Sequence, residues 1–456
     1  MKSKCMRQIL VGSSALWLAL ASICFGADYY FDATSGNDNG TGTSPDNPWK
    51  TEAKFNATSF YPGDNIYFKR GETWDRDALY LHNSGKKDNV ITLTAYGTGK
   101  YPVLLRIVSG ARRGAADFWT IKNVIVTNRD GWACIDIVGY AANLTIQDSV
   151  IHRCAGRGIS VTSLIAGDTD NLLIQDVTVR NNGQQGIHVS DSTGLNPIRG
   201  VVVQRVTAFG NGTDGPNNLD GITVGGLAGG VVQYCKSHGN NGDGIDLGGA
   251  STDSVVRYNL AYNNTGTGIV VSNTANNTLV IGNVAHHNAT GMHIKKPTSD
   301  TTVYNNTLVY NSDYGAQLSS TNTVTFKNNI VAHNMYGAWH PILFTRASGQ
   351  KLVSDHNLFW HPVHSASEFY DHNNRIHYSF ARWRTQGYDI HSVNADPDLD
   401  ANYAPNSNSP AIGAGANLGA PYAAILNPAA SWTGNVSTLD QDNSGPWDIG
   451  AYRHRN

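Results

Sequence analysis

VVQYCKSHGNNGDGIDLGG, residues 231–249, is followed by SVVRYNLAYNNTGTGIVVSN from Ser254 and TLVIGNVAHHNATGMHIKKP from Thr278. Each copy is a β-rich run, a polar Asn-Gly corner and a short second strand. Taking the apolar residue after each corner glycine as an anchor gives Ile135, Ile159, Ile187, Ile222, Ile245, Ile269, Met292, Ala316 and Ala338. Successive anchors lie 24, 28, 35, 23, 24, 23, 24 and 22 residues apart. A period of about two dozen residues built from short strands predicts a solenoid, because one such unit cannot bury its apolar face until neighbours stack on it.

Composition agrees with a β-rich, loop-rich chain. Of 456 residues only 15% are charged, while glycine reaches 48. A formal charge of −2 disfavours a surface that binds nucleic acid or another polyanion through bulk charge, while a local basic cluster could still bind an acidic polymer. Lys2, Lys4 and Arg7 precede an apolar run from Ile9 to Leu20 and a small-residue stretch to Ala27, which reads as a secretory leader spanning 1–27. Ser22-Ile23-Cys24 is a poor lipoprotein box, so a soluble exported protein is expected. No other run approaches the ~20 apolar residues that span a bilayer.

Removing the leader takes Cys5 and Cys24 with it and leaves Cys134, Cys154 and Cys235. Their odd number and non-metal spacing predict no disulfide framework. Cys154 stands five residues before its anchor, where other coils carry Asn182, Asn240, Asn264 and Asn311, so packing inside a turn is its expected role. The mature chain divides into an N-terminal cap with early coils (28–118), regular coils (119–350), and late coils with a closing cap (351–456). A short helix is expected from Phe380 to Gly387. A capped solenoid of this kind is expected to be a monomer.

Strand alternation sends each anchor inward and the next residue outward. The outward column reads Asp136, Ser160, His188, Thr223, Asp246, Val270, His293, Gln317, and a column two residues later contains Ser272, Lys295 and Ser319. A third, two residues before each anchor, contains Arg157, Gln185, Asp220, Asp243, Thr267, Thr290, Tyr314 and Tyr336. With coils about 4.8 Å apart, Asp220, Asp243 and Asp246 gather at the centre of one face. His188 and His293 flank them, and Lys295 sits beside His293. Tyr314, Tyr336 and Trp339 lie beyond, either stacking on sugars or shielding coil edges. Three carboxylates so close raise one another's pKa unless a cation neutralises them, and Ca2+ suits such oxygen ligands. Two of them could instead perform acid/base work on a glycosidic bond. Asp-Gly is also an ordinary turn dipeptide, so Asp220 and Asp243 have a purely structural reading. Asp246 is harder to dismiss, since an outward strand position disfavours Asp.

SGNDNGTGTSPDNPWKT from Ser35, the Asn-x-Gly-x-Gly-Ile coils, SPAIGAG from Ser409 and DIGAY from Asp448 together resemble secreted right-handed parallel β-helix proteins that act on polysaccharides. The resemblance implies an all-β fold with capping segments. NGDGIDLGG from Asn241 is similar to the calcium-binding run of family nine pectate lyases, with Asp243, Asp246 and Asp220 matching three of its acids. Gly242 replaces the first acid of that run, and Val270 occupies the place of the family's catalytic lysine. The resemblance implies a calcium-assisted lyase acting on an acidic polysaccharide; the register offers Lys295 or His293 as a substitute base and places Arg157, Gln185, His188 and the aromatic residues to hold sugar units. A glycoside hydrolase using an Asp pair and a noncatalytic carbohydrate-binding protein are the alternatives.

Overall fold

The computed structural model describes residues 26–110, 114–215, 219–272, 274–295, 299–319, 322–334, 343–345, 351–362, 369–371, 374–429, 432, 436–443 and 445–454. The expected leader, apart from Gly26 and Ala27, lies outside them, as do Tyr336 and Trp339. Among the described residues no helix is long and apolar enough to cross a membrane.

Among the described residues three sheets of thirteen strands each run along a right-handed parallel β-helix. Every coil passes from the second sheet, which carries the anchors, to the first and then the third, as in Arg157–Ser163, Leu173–Gln175 and Thr178–Arg180. The anchors stack in register from Ile135 on Ile159 through Met292 on Ala316. The column also extends upstream to Leu79 and Ile107. Ala316 then pairs with Leu343 rather than Ala338. Ala338 itself lies outside the described residues.

The three-residue strands of the first sheet alternate strictly, with Ile146, Ile174 and Val203 pointing inward between half-buried neighbours. Between the first and third sheets the chain turns through one left-handed residue per coil, from Asp148 (φ 47°) to His356 (φ 54°). Inside the corners run asparagine ladders. Asn240 Nδ2 donates to Asn264 Oδ1 at 2.9 Å, and Asn264 Nδ2 to Asn288 Oδ1 at 2.9 Å. Their backbone N–H groups donate to the same oxygens. The amide side chain thus satisfies turn N–H groups that no strand can reach.

Cys134 and Cys154 form a disulfide with Cα atoms 5.6 Å apart, which corrects the expectation of no disulfide. Stacking returns the chain to its own start after one coil, so a pair separated by 20 residues becomes adjacent. Cys235 supplies the odd thiol; it is fully buried, and burial pushes it up to about 12, so it acts as a packing group. Closing a loop of this length is worth about 3 kcal/mol. Denaturation midpoints with and without reductant should differ by that amount in the wild type and not in Cys134→Ser/Cys154→Ser; equal midpoints in the wild type would remove the disulfide from the stability account.

Both ends of the core are plugged by aromatic groups. Helix α1 (Glu52–Asn56) brings Phe55 against Phe31, Phe60 and Phe68. Helix α2 (Phe380–Thr385), capped by Ser379, stacks Trp383 on Phe369. The closing segment does not cap the coils. Its described residues Ala404, Leu426, Ala451 and Tyr452 cover Tyr258, Leu260 and Val284, and Ala411 and Ile449 cover Ile330 and Leu358. It lies along the third sheet because the strands there carry apolar residues outward as well as inward.

Candidate functional site

The outward face of the second sheet assembles as the register dictates. Ser160 pairs with His188, His188 with Thr223, Thr223 with Asp246, Asp246 with Val270, and Val270 with His293. The turn column is equally regular, with Gly186 N donating to Asp220 O, Gly221 N to Asp243 O and Gly244 N to Thr267 O at 2.8–3.0 Å.

The three carboxylates differ in their duties. Asp220 has both oxygens engaged, Oδ1 by Asp243 N at 2.8 Å and Oδ2 by the Thr223 hydroxyl at 2.8 Å. It is therefore a turn residue that positions Asp243. Burial and the Asp243 charge hold its carboxyl above the ordinary value. Asp243 Oδ1 accepts from Thr267 N at 2.6 Å, while Oδ2 faces Lys295 Nζ at 3.5 Å. Asp246 Oδ1 accepts from Ser272 Oγ at 2.8 Å, and among the described residues its Oδ2 has no hydrogen-bond partner. Burial, reinforced by Asp220 and Asp243, pushes Asp246 up to about 7.

Lys295 sits where the outward register puts it, yet its ammonium reaches back to Asp243, 52 residues away in sequence. His293 shares a hydrogen bond with Ser319 Oγ at 3.2 Å. His188 is pushed down to about 4 by burial and then by Arg157, so its ring is neutral. Arg157 donates Nε to Gln185 Oε1 at 3.2 Å and lies 4.7 Å above the ring of Trp132. Tyr314 is half-buried at the other end of the turn column, its carbonyl accepting from Gly291 N.

Trp132, 52% exposed, escaped the sequence reading, as did the Arg106–Asp136 pair at 2.7 Å. An aromatic directly after the corner Gly131 is the signal that would have found Trp132. Val270 is fully buried, so the position of the resemblance's catalytic lysine holds an apolar packing residue.

The donor set does not fit calcium. One oxygen of Asp243 and both of Asp220 are committed to the turn and to Thr223, and an ammonium already faces the remaining oxygen of Asp243. A fourth acid has no room, because a Cβ on Gly242 would lie 2.5 Å from Leu219 N and 2.7 Å from Asp220 Oδ1. Among the described residues the one group of three metal-type side chains with donor atoms within 4.8 Å of one another lies elsewhere, at Asp355, His356 and His391.

The right handed beta helix region model matches residues 72–219, 216–308 and 276–382, and the chain belongs to that family. A curated relative, the lacto-N-biosidase of Bifidobacterium longum subsp. longum, is 35% identical over 75 residues. That match covers 16% of this chain and only 5% of the relative. Among solved structures, XylC in complex with xylose superposes with a TM-score of 0.58 at 11% identity, covering 82% of this chain and 87% of the other. Pectate lyase Pel9A gives 0.53 at 18% identity, covering 95% and 98%. These two likenesses show the fold alone.

Proposed function

We propose that this chain hydrolyses glycosidic bonds in a glycan lying along the second sheet, with Asp246 as general acid and Asp243 as the second carboxylate. The observation that carries this reading is the unequal pair itself. Asp243 forms an ion pair with Lys295, whereas Asp246, three residues further along the chain, has no hydrogen-bond partner for Oδ2 among the described residues. A carboxyl whose proton is retained near neutral pH next to one that is charged is the arrangement glycoside hydrolysis requires.

Asp246 gives its proton to the leaving glycosidic oxygen as the bond to the anomeric carbon breaks. Asp243 acts on the anomeric carbon itself or on the attacking water: in the first case the water that later hydrolyses the glycosyl-enzyme gives its hydroxyl to the sugar and its proton to Asp246, and in the second Asp243 takes the water's proton and both carboxyls regain their starting states by exchange with solvent. Lys295 and the Thr267 N–H hold Asp243 in place. Trp132 and Arg157 offer an aromatic face and a cation toward one end of the strip, suited to a sugar ring and an acidic substituent. The short likeness to a lacto-N-biosidase and the fold shared with a xylose-bound protein support a carbohydrate substrate. The disulfide supports the exported location that the N-terminal sequence implies.

The test is a panel of neutral and acidic glycans incubated with the full chain, with and without EDTA, followed by product mass and ultraviolet absorbance. Hydrolysis adds one water per cleavage and is indifferent to EDTA. Products with an unsaturated uronate chromophore, abolished by EDTA, would establish instead the calcium-assisted lyase that the sequence resemblance implies. Binding without any product would reduce the site to recognition.

A further inference from the structure

A second cluster lies at the corner between the first and third sheets, the one corner the second sheet does not share. Asp355 closes the strand Leu352–Asp355, and His356 follows it as the left-handed corner residue, with φ 54°. His391 arrives from the segment after α2. Its backbone N–H donates to Asp355 Oδ1 at 2.8 Å, and its Nδ1 lies 2.7 Å from Asp355 Oδ2. His356 Nδ1 is 3.4 Å from the same Oδ2, but it is buried without a hydrogen bond. The two imidazoles stack with centroids 5.0 Å apart.

We infer that Asp355, His356 and His391 form a binding site for a first-row divalent cation of the zinc class, which staples the segment after α2 to the last coils. Three donor atoms converge within 4.8 Å of one another. Bonds of about 2.0–2.1 Å in tetrahedral geometry place neighbouring ligand atoms about 3.3 Å apart; His356 Nδ1 and Asp355 Oδ2 already stand at 3.4 Å, whereas His391 Nδ1 and Asp355 Oδ2, at 2.7 Å, must part slightly to admit the ion. Two imidazoles and one carboxylate select zinc-like ions over calcium or magnesium, which prefer oxygen. The fourth position is left to water.

The surroundings prepare the donors. The backbone N–H and ring of His391 already fix Asp355, and His356 Nδ1 is left over without a hydrogen bond. Lys327, in register with Asp355 on the preceding coil, works against a cation. Asp389 lies on the other side, fully buried and hydrogen-bonded to Trp383 Nε1, Asn357 Nδ2 and Ser392 Oγ. These bonds fix the segment that carries His391 whether or not a metal is present, so the donors are held ready.

The test uses the full chain, stripped with EDTA and dialysed, and titrated with zinc chloride by calorimetry. One zinc per chain is expected, with calcium and magnesium unable to compete. His391 is largely exposed, so His391→Ala should fold normally and lose affinity by about 10–100-fold. His356→Asn, which tolerates the left-handed corner, should show the same loss. Absence of stoichiometric zinc binding, or binding unchanged in both variants, overturns the site. Glycan cleavage by the zinc-free chain does not bear on it, because the two sites share no residue.

Discussion

Asp246→Asn should leave the coil intact and lower glycan turnover about a thousandfold, the usual scale for removing a general acid. Asparagine keeps the bond from Ser272 Oγ to the side-chain oxygen and offers an amide where the proton was, so substrate affinity should change little. The pH profile of the wild type carries the same information. The acid works only while protonated, so the rate should fall tenfold per unit above about 7, the value to which burial raises Asp246. Stability follows with a defined sign. The folded value lies above the ordinary 3.8, so the contribution is full below 3.8 and lost as pH rises through about 7. Asp246→Asn should therefore gain on the wild type across that interval, by at most about 4 kcal/mol. Full activity in the variant, or a rate that rises above pH 7, would remove Asp246 from the chemistry.

Asn264→Ala should destabilise the fold by roughly 3–5 kcal/mol, with unchanged secondary structure in the molecules that remain folded. The side chain accepts from Asn240 N and Nδ2 and donates to Ser237 O and Asn288 Oδ1, all in a buried turn. Its removal strands the Asn240 backbone N–H in a buried turn and takes one partner each from Asn240 Nδ2 and the Ser237 carbonyl. Asn264→Asp, which keeps the acceptor and loses the donor, should fall less far unless its charge cannot be buried. Urea denaturation of both variants reads the difference, and a loss below 1 kcal/mol in Asn264→Ala would show that the ladder is ornamental to stability. Because neighbouring rungs share bonds, a double substitution at Asn264 and Asn288 should cost less than the two single changes added together.

The outward columns of the second sheet were legible in the chain because the anchor spacing sets their register, and Asp246 was conspicuous as a charge on a strand. Which oxygen of which carboxylate is committed was not legible. Asp220 and Asp243 both precede a glycine in a turn, yet one is fully used by the turn and the other keeps an oxygen for Lys295. The lysine's reach could not be read either, since a flexible four-carbon side chain can lie along its own coil or across to another. Calcium looked natural from three acids in a row of columns, but turn amides occupy part of that donor set and the Gly242 position admits no fourth acid.

By itself the sequence determined the solenoid, its register from Ile135 to Ala316, and the face on which the acidic residues meet, because a repeated pattern of burial allows only one stacking. Tertiary structure alone decided the Cys134–Cys154 bond, the pairing of Ala316 with Leu343, the path of the closing segment along the third sheet, and the meeting of His391 with Asp355 and His356. Each of these depends on where an irregular stretch returns to the coils. No period constrains such a return, so only packing and hydrogen bonding in three dimensions select it.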